Sequence, residues 1–342
     1  MVPAIRTRAV RASDNRAMRA TLTLDGETTN VDRPAVEAAL AKPSFFWLDL
    51  EGVDGETAAL LRDSFRFHPL AVEDAENFGQ RPKLDDYDGF LYLVVHGADP
   101  GAAGTVEVHI FFSERFVVTV RRSQCVALDG VRQRMTRHHA REAAPEDVVL
   151  VYLIVDALVD SFFPVLATLD DKIDELEDAI LVQPTDQQLG VIFDMKRSLL
   201  AMRKVITPQR DMFASVSAGV IDVPGRTAES DRYFRDLYDH LIRISDLVDS
   251  YRDLLSGVMD THLSTVSNRL NVVMKQLAVI ATVFLPLTFL TGFFGQNFGF
   301  LVGHIGSAGS FVLFGLGTEA VAVVALFVLF RRRGWLGGPS SG

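Results

Sequence analysis

The run LAVIATVFLPLTFLTGFF, residues 277–294, decides how the rest of the chain is read. It carries no charged side chain, and a second apolar run, SFVLFGLGTEAVAVVALFVLF, follows at residues 310–330. An α-helix needs about 20 apolar residues to cross roughly 30 Å of hydrocarbon, so each run is long enough to span a bilayer. Between Lys275 and Glu319 there is no Asp, Glu, Lys or Arg, the pattern of a segment solvated by lipid. Pro286 and the glycines of the second run are tolerated in membrane helices, where neighbouring groups satisfy the freed backbone. Arg331, Arg332 and Arg333 follow the second run directly, whereas the connecting loop 295–309 has no Lys or Arg. Positive charge marks the cytoplasmic side, so both termini are expected inside and the loop outside, in an inner or plasma membrane.

Upstream of the first run, Leu237, Leu241, Ile244, Val248, Tyr251, Leu255 and Val258 recur in alternating steps of four and three. That is the seam of a helix packed on other helices. Before Pro286 only Gly257 interrupts it, which predicts one helix from about Ser230 to Phe294, on the order of 65 residues and ~100 Å. Asp239, Asp246, Asp253 and Asp260 repeat every seven residues beside the seam, with Asp236 and Asp249 close in register. Such a stripe is either a solvated coiled-coil face or, in a symmetric oligomer, a set of carboxylate rings that concentrate or bind divalent cations. Unpaired carboxylates in a ring repel one another, and a bound cation relieves them, which is a physical basis for metal sensing.

The remainder reads as a soluble α/β domain. Strands are expected at Ala20 to Leu24, Phe45 to Leu50, Phe90 to His96, Val106 to Phe112 and Phe116 to Val120, with a turn at Asp99-Pro100-Gly101. Helical patterns at Gly55 to Phe65 and Asp147 to Leu181 complete a mixed sheet flanked by helices. The expected organisation is a cytoplasmic α/β and helical domain over 1–225, a stalk helix over 226–276, transmembrane helices at 277–294 and 310–330, an external loop at 295–309, and a basic tail at 331–342. Net charge is −10, with no Lys/Arg stripe interleaved with aromatics, which argues against nucleic acid. The single Cys125 excludes an intramolecular disulfide framework, and the arginines of the first thirty residues border no signal-peptide core. No phosphate-binding glycine loop, zinc-protease helix or nucleophile elbow points to an enzyme.

Projected at 100° per residue from Asn271, the positions Met274, Leu277, Ala281, Leu285, Thr288, Gly292 and Gly295 fall within roughly 120° of one another. A face of small and weakly polar residues suits a narrow pore or a close helix contact. The segment Ser267-Asn268-Arg269-Leu270-Asn271-Val272-Val273-Met274-Lys275, followed by Ile280 to Thr288 and then Gly295-Gln296-Asn297-Phe298, closely resembles the CorA magnesium-transporter family. So do Trp47-Leu48-Asp49-Leu50, His68 to Asp74, Gln80-Arg81-Pro82-Lys83 and Tyr233 to His240. The resemblance covers nearly the whole chain. It implies a homopentameric funnel whose first transmembrane helix lines the pore with Asn271, Met274, Leu277, Leu285 and Thr288. Asp260 would stand at the cytoplasmic end and Gly295, Gln296 and Asn297 at the outer mouth. It also implies regulatory Mg²⁺ sites between subunits at Asp74, with Glu73, and at Asp236. When internal Mg²⁺ falls, those sites would empty and bias the channel toward opening.

Neutral Asn oxygens at a mouth can accept hydrogen bonds from the waters of Mg²⁺, an ion that dehydrates reluctantly. The family signature is usually Gly-Met-Asn, and here Gln296 stands at its middle position. A ZntB-type zinc transporter, with His304 as the outer-loop side chain suited to Zn²⁺, is the alternative cargo reading. A membrane-anchored metal sensor without a pore is the alternative class. Glu319 lies within the second span, where an ionised carboxylate is expensive; it is a proton carrier or a neutral group bonded through Thr318 or similar groups. His138-His139 reads as a solvated helix surface, since adjacent helical residues point apart.

Overall fold

The computed structural model describes residues 18–24, 27–99, 104–138, 146–221, 223–296, 299–304, 306–333 and 335. The chain divides into two units, Met1–Asp260 and Thr261–Gly342. The first is built on seven strands: β1 (Arg19–Leu24), β2 (Glu27–Val31), β3 (Phe46–Glu51), β4 (Lys83–Tyr87), β5 (Phe90–Asp99), β6 (Gly104–Phe112) and β7 (Phe116–Arg121). Their order is β2-β1-β3-β7-β6-β5-β4, with β3 and β7 parallel and every other pairing antiparallel. All five strands anticipated from the sequence are present. The two that were not, ETTNV in β2 and KLDDY in β4, are the polar edges of the sheet, where an apolar face is not required.

Side chains alternate across the pleat, so each strand feeds two cores. Trp47, Leu91, Leu93, Val95, Val108 and Ile110 enter one, and Phe46, Leu48, Leu50, Phe90, Tyr92 and Val94 the other. The second core is closed by α1 (Arg33–Leu40), by α2 (Gly55–Ala59) with its π turn Leu60–Ser64, and by α3 (Pro69–Glu76). Asp32 and Asp54 cap the first two helices by accepting hydrogen bonds from the N–H groups of Ala35 and Thr57. The first core is closed by α4 (Val126–His138), α5 (Glu146–Asp160), α6 (Phe162–Val182) and α7 (Asp186–Ser217).

The helical stretch anticipated over Asp147 to Leu181 is present as two helices that meet at Ser161. The Ser161 hydroxyl accepts a hydrogen bond from the Ala98 N–H of β5 at 2.7 Å. Beside it a Cβ on Gly97 would meet the Leu158 carbonyl at 2.9 Å, so only glycine lets α5 approach the strand this closely. Asp147–Val182 is apolar enough to cross a membrane by composition, yet 61% of its most apolar window is buried in the first unit, as expected of core helices.

The helix α8 runs without interruption from Ser230 to Phe294, as the seam predicts. Leu237, Leu241, Ile244, Val248, Tyr251, Leu255 and Val258 are all buried, in one core with Leu199, Met202 and Ile206 of α7. The second unit contains the rest of α8, then α9 (Gly299–His304), α10 (Ala308–Ser310), a π turn at Phe311–Leu316 and α11 (Gly317–Arg332). The apolar windows of Ser230–Phe294 and Ala308–Arg332 are entirely unburied within the chain.

Candidate functional site

Asp239, Asp246, Asp253 and Asp260 are exposed along α8, away from its buried seam. Asp249 is paired, with Arg252 at 2.9 Å and Arg203 at 3.2 Å. Asp236 is half-buried and gathers more partners than the sequence suggested. The Tyr152 hydroxyl donates to its Oδ2 at 2.9 Å, and His240 Nε2 lies 3.9 Å from its Oδ1. The other imidazole nitrogen, Nδ1, is 3.2 Å from Asp160 Oδ1 and 3.7 Å from Asp156 Oδ1. Asp156, Asp236 and His240 each offer a ligand atom, all within 4.8 Å of one another.

The cluster forms because two i, i+4 pairs face each other, Asp156 with Asp160 on α5 and Asp236 with His240 on α8. Burial, then the neighbouring Asp160 charge, push the Asp156 carboxyl above its ordinary pKa, with Arg134 at 3.0 Å and His240 opposing. A divalent cation would reverse that balance by favouring the ionised carboxylate. Two carboxylates suit a hard cation such as Mg²⁺, and the imidazole adds a ligand for Co²⁺ or Zn²⁺.

Asp74, on α3, is held differently. Its Oδ2 accepts from Lys83 Nζ at 2.7 Å, and Lys83 also reaches Asp85 at 2.7 Å. Burial disfavours the Lys83 charge, but hydrogen bonds and attraction from Asp74 and Asp85 outweigh it and hold the pKa above the ordinary lysine value. Glu73 is exposed on the same helix, its backbone carbonyl accepting from the Asn77 N–H at 3.0 Å. Within one chain neither Glu73 nor Asp74 joins the group around Asp236.

In the second unit Asn271, Met274, Leu277, Leu285 and Thr288 are exposed, Leu285 by 73%. Phe289 on the same face and Val272, Ile280 and Phe284 outside it are exposed too, whereas Val279, Val283, Pro286, Leu287, Leu290 and Phe294 form a half-buried stripe. The Thr288 hydroxyl donates to the Phe284 carbonyl at 2.8 Å, which leaves its oxygen lone pairs to face outward. The helix closes with the Gly295 N–H on the Thr291 carbonyl at 2.9 Å and the Gln296 N–H on that of Phe293 at 3.3 Å. A Cβ at Gly295 would sit 3.0 Å from the Thr291 carbonyl, tight enough to explain a glycine there. Asn297 and His139 lie outside the described residues, as does the His138 side chain. His304 Nδ1 is 2.9 Å from the Phe300 carbonyl, within its own helix. Arg331 and Arg332 end α11, and the Arg333 N–H caps it on the Leu329 carbonyl at 3.0 Å.

Residues 42–332 match the model of the family described as CorA-like Mg2+ transporter protein. This chain belongs to the CorA-like family. It is 35% identical over 297 residues to the Bacillus subtilis protein YfjQ, covering 85% of this chain and 90% of that protein. It is 32% identical over 295 residues to the cobalt/magnesium transport protein CorA of Thermotoga maritima, covering 85% and 83%. A zinc transport protein ZntB, from Cronobacter sakazakii, matches at 28% over 279 residues, 79% and 83% of the two chains. The complete structure of the CorA magnesium transporter from Methanocaldococcus jannaschii shares the fold, with a TM-score of 0.79 over 93% of this chain and 99% of that one at 20% identity.

Against this CorA-like background, the sequence reading had Asp236 but missed Tyr152, Asp156, Asp160 and His240 around it. The available signal was the spacing: a carboxylate pair and a carboxylate–imidazole pair, each four residues apart on helices. What no spacing supplies is that α5 and α8 bring those two faces together.

Proposed function

We propose that this chain is a divalent-cation channel, with Mg²⁺ as its main cargo and Co²⁺ as a further one, and no catalytic role. Five copies would stand around an axis in an inner or plasma membrane, with both termini and the Arg331 to Arg333 tail in the cytoplasm. The span 277–294 lines the path through Met274, Leu277, Leu285 and Thr288, with Asn271 and Asp260 toward the cytoplasm and Gly295, Gln296 and Asn297 at the outer mouth. The span 310–330 stands outside the lining helix, with part of its surface toward lipid. The observation that carries the reading is α8 itself: its seam is buried up to Val258, and its apolar stretch 277–294 is exposed along the face of Leu277, Leu285 and Thr288 and only half-buried along the stripe of Val279, Val283 and Leu287. An exposed apolar face must be covered by lipid and by other copies, and 32% identity to a cobalt/magnesium transport protein supports the cargo.

Regulation would come from cytoplasmic Mg²⁺ at Asp74 with Glu73 on one subunit and Asp236 on the next. As internal Mg²⁺ falls, the carboxylates repel, the subunits separate and the path opens. The inside-negative potential drives entry without ATP. Zinc is the second reading, supported by Gln296 in the mouth and by the similarity to ZntB. Proteoliposomes holding Mg²⁺- or Zn²⁺-sensitive dye, with and without a pH gradient, separate the two. Mg²⁺ influx independent of the gradient is expected; influx of Zn²⁺ alone, or none, would overturn the assignment.

A further inference from the structure

Asp74 on α3 and Lys83 at the start of β4 are nine residues apart, and the segment joining them is clamped near its middle. The Glu107 carboxylate of β6 accepts from the N–H groups of Gly79 and Gln80 at 2.7 and 3.0 Å, and His109 Nε2 lies 2.9 Å from Glu107 Oε1. Pro82, which is buried, directly precedes β4 and restricts the backbone where the strand begins. Lys83 is thus delivered to Asp74 by a held loop, not by a chance meeting of two surface side chains.

Lys83 and Asp85 alternate onto one face of β4, opposite Val94 and Tyr92 of β5. The ammonium nitrogen is bounded on three sides: by Asp74 Oδ2 at 2.7 Å, by Asp85 Oδ2 at 2.7 Å, and by the Tyr92 ring, whose centroid is 5.3 Å away. The charge and lone pairs that Asp74 would offer a divalent cation are those that Lys83 draws on. The Asp74 side chain keeps 24% of its surface exposed, so a cation from solvent can reach it. A shift of the ammonium wholly onto Asp85 needs no new partner, because that bond already exists.

We propose that Lys83 is a tethered rival of the regulatory cation at Asp74, and that Asp85 is the place to which its ammonium withdraws when the cation binds. Lys83 thereby lowers the affinity of Asp74 for divalent cations and sets the internal Mg²⁺ concentration at which the site fills. When the cation leaves, the ammonium returns to Asp74 Oδ2 and offsets part of its charge, which softens the repulsion between subunits. The inference rests on the reading of Asp74 as a regulatory Mg²⁺ ligand and adds the residue that tunes it.

The full chain in lipid nanodiscs, stripped with EDTA, is titrated with Mg²⁺ by calorimetry; the component lost in Asp74→Asn belongs to this site. Lys83→Met keeps the apolar stem without the charge, and should lower the half-saturating Mg²⁺ concentration of that component about fivefold or more. Asp85→Asn should raise it about threefold or more, since the ammonium then has Asp74 alone. Added to Lys83→Met, the same Asp85→Asn change should matter by about twofold or less. A pair that merely braces α3 on the sheet would instead weaken binding in both single variants, together with their thermal stability in EDTA. A half-saturation unchanged or raised in Lys83→Met, or an Asp85→Asn effect as large without Lys83 as with it, would overturn the proposal while leaving Asp74 a ligand. A titration indifferent to Asp74→Asn would overturn the regulatory reading of Asp74, and the proposal with it.

Discussion

Replacing Asp156 by Asn should leave the metal-free chain intact and abolish most of its stabilisation by divalent cations. Asp156 is buried beside Asp160, whose charge after burial raises its pKa, and its ligand atom lies within 4.8 Å of that of Asp236. Two unit charges at that distance repel by about 3.5 kcal/mol at an effective dielectric near 20. The Asp236 side chain is 48% exposed, however, so screening reduces the figure to about 1–2 kcal/mol. Arg134, itself half-exposed, turns to water when its partner loses charge. The variant should therefore be as stable as the parent in EDTA, or more stable by up to about 1–2 kcal/mol. With cation present the parent gains RT ln(1 + [L]/Kd), about 2.7 kcal/mol at a hundredfold excess over Kd, or roughly 5–11 °C in Tm. Thermal unfolding of the detergent-solubilised chain in EDTA, Mg²⁺ and Co²⁺ reads all of these terms. An equal cation-induced rise in parent and variant would refute the site. Destabilisation of the variant in EDTA by about 3 kcal/mol or more would mean that Asp156 serves the Arg134 pair instead.

Three further outcomes follow from the packing. Leu241→Ala removes a fully buried seam residue of α8 and should cost about 2–5 kcal/mol, read as a lower Tm of the first unit. Asp49 is buried and accepts from Thr119 at 2.8 Å, Arg132 at 2.6 Å and Arg121 at 3.1 Å; Asp49→Asn removes the charge they share, while Arg121 keeps Glu51 and Arg132 keeps Asp129, and should cost about 1.5–3 kcal/mol in the same melt. His96 is held neutral down to about 4, chiefly by burial, with Glu107 opposing and His109 adding to the effect. Because the unfolded chain takes up that proton near pH 6.5, stability is full above about pH 6.5. It falls progressively toward about pH 4, by up to about 3 kcal/mol. Melts between those limits should show the decline, and His96→Gln should lessen it; an identical slope in both proteins would contradict the assignment.

Much of the architecture was legible because strong periodicity leaves few alternatives. The four-and-three spacing from Leu237 to Val258 fixes both the helix and its buried face, and both hold. The five apolar strands were readable for the same reason, whereas β2 and β4 are polar edges that carry no hydrophobic signal. The turn at Ser161 was hidden because the apolar pattern continues through it; there the Ser161 hydroxyl accepts from the Ala98 N–H and donates to the Leu158 carbonyl. At the site, Asp236 stood out in the stripe, but its partners on α5 depend on how two distant helices meet. Glu319 was conspicuous as a lone carboxylate, but its cavity shared with Gln296, and the Thr318 hydroxyl donating to the Phe314 carbonyl, depend on backbone geometry that no composition predicts.

The central claim is that copies of α8 enclose a wetted path between Met274 and Thr288. Cys125, the only native cysteine, is buried, so an introduced thiol can be read by reagent access. Met274→Cys lies on the face projected toward the path and Val283→Cys on the opposite one, at roughly 180° by the 100° rule. A water-soluble, lipid-insoluble thiol reagent should modify Met274→Cys and block Mg²⁺ flux in proteoliposomes while leaving Val283→Cys conducting. Failure to modify Met274→Cys, or modification that leaves the flux unchanged, would contradict the account.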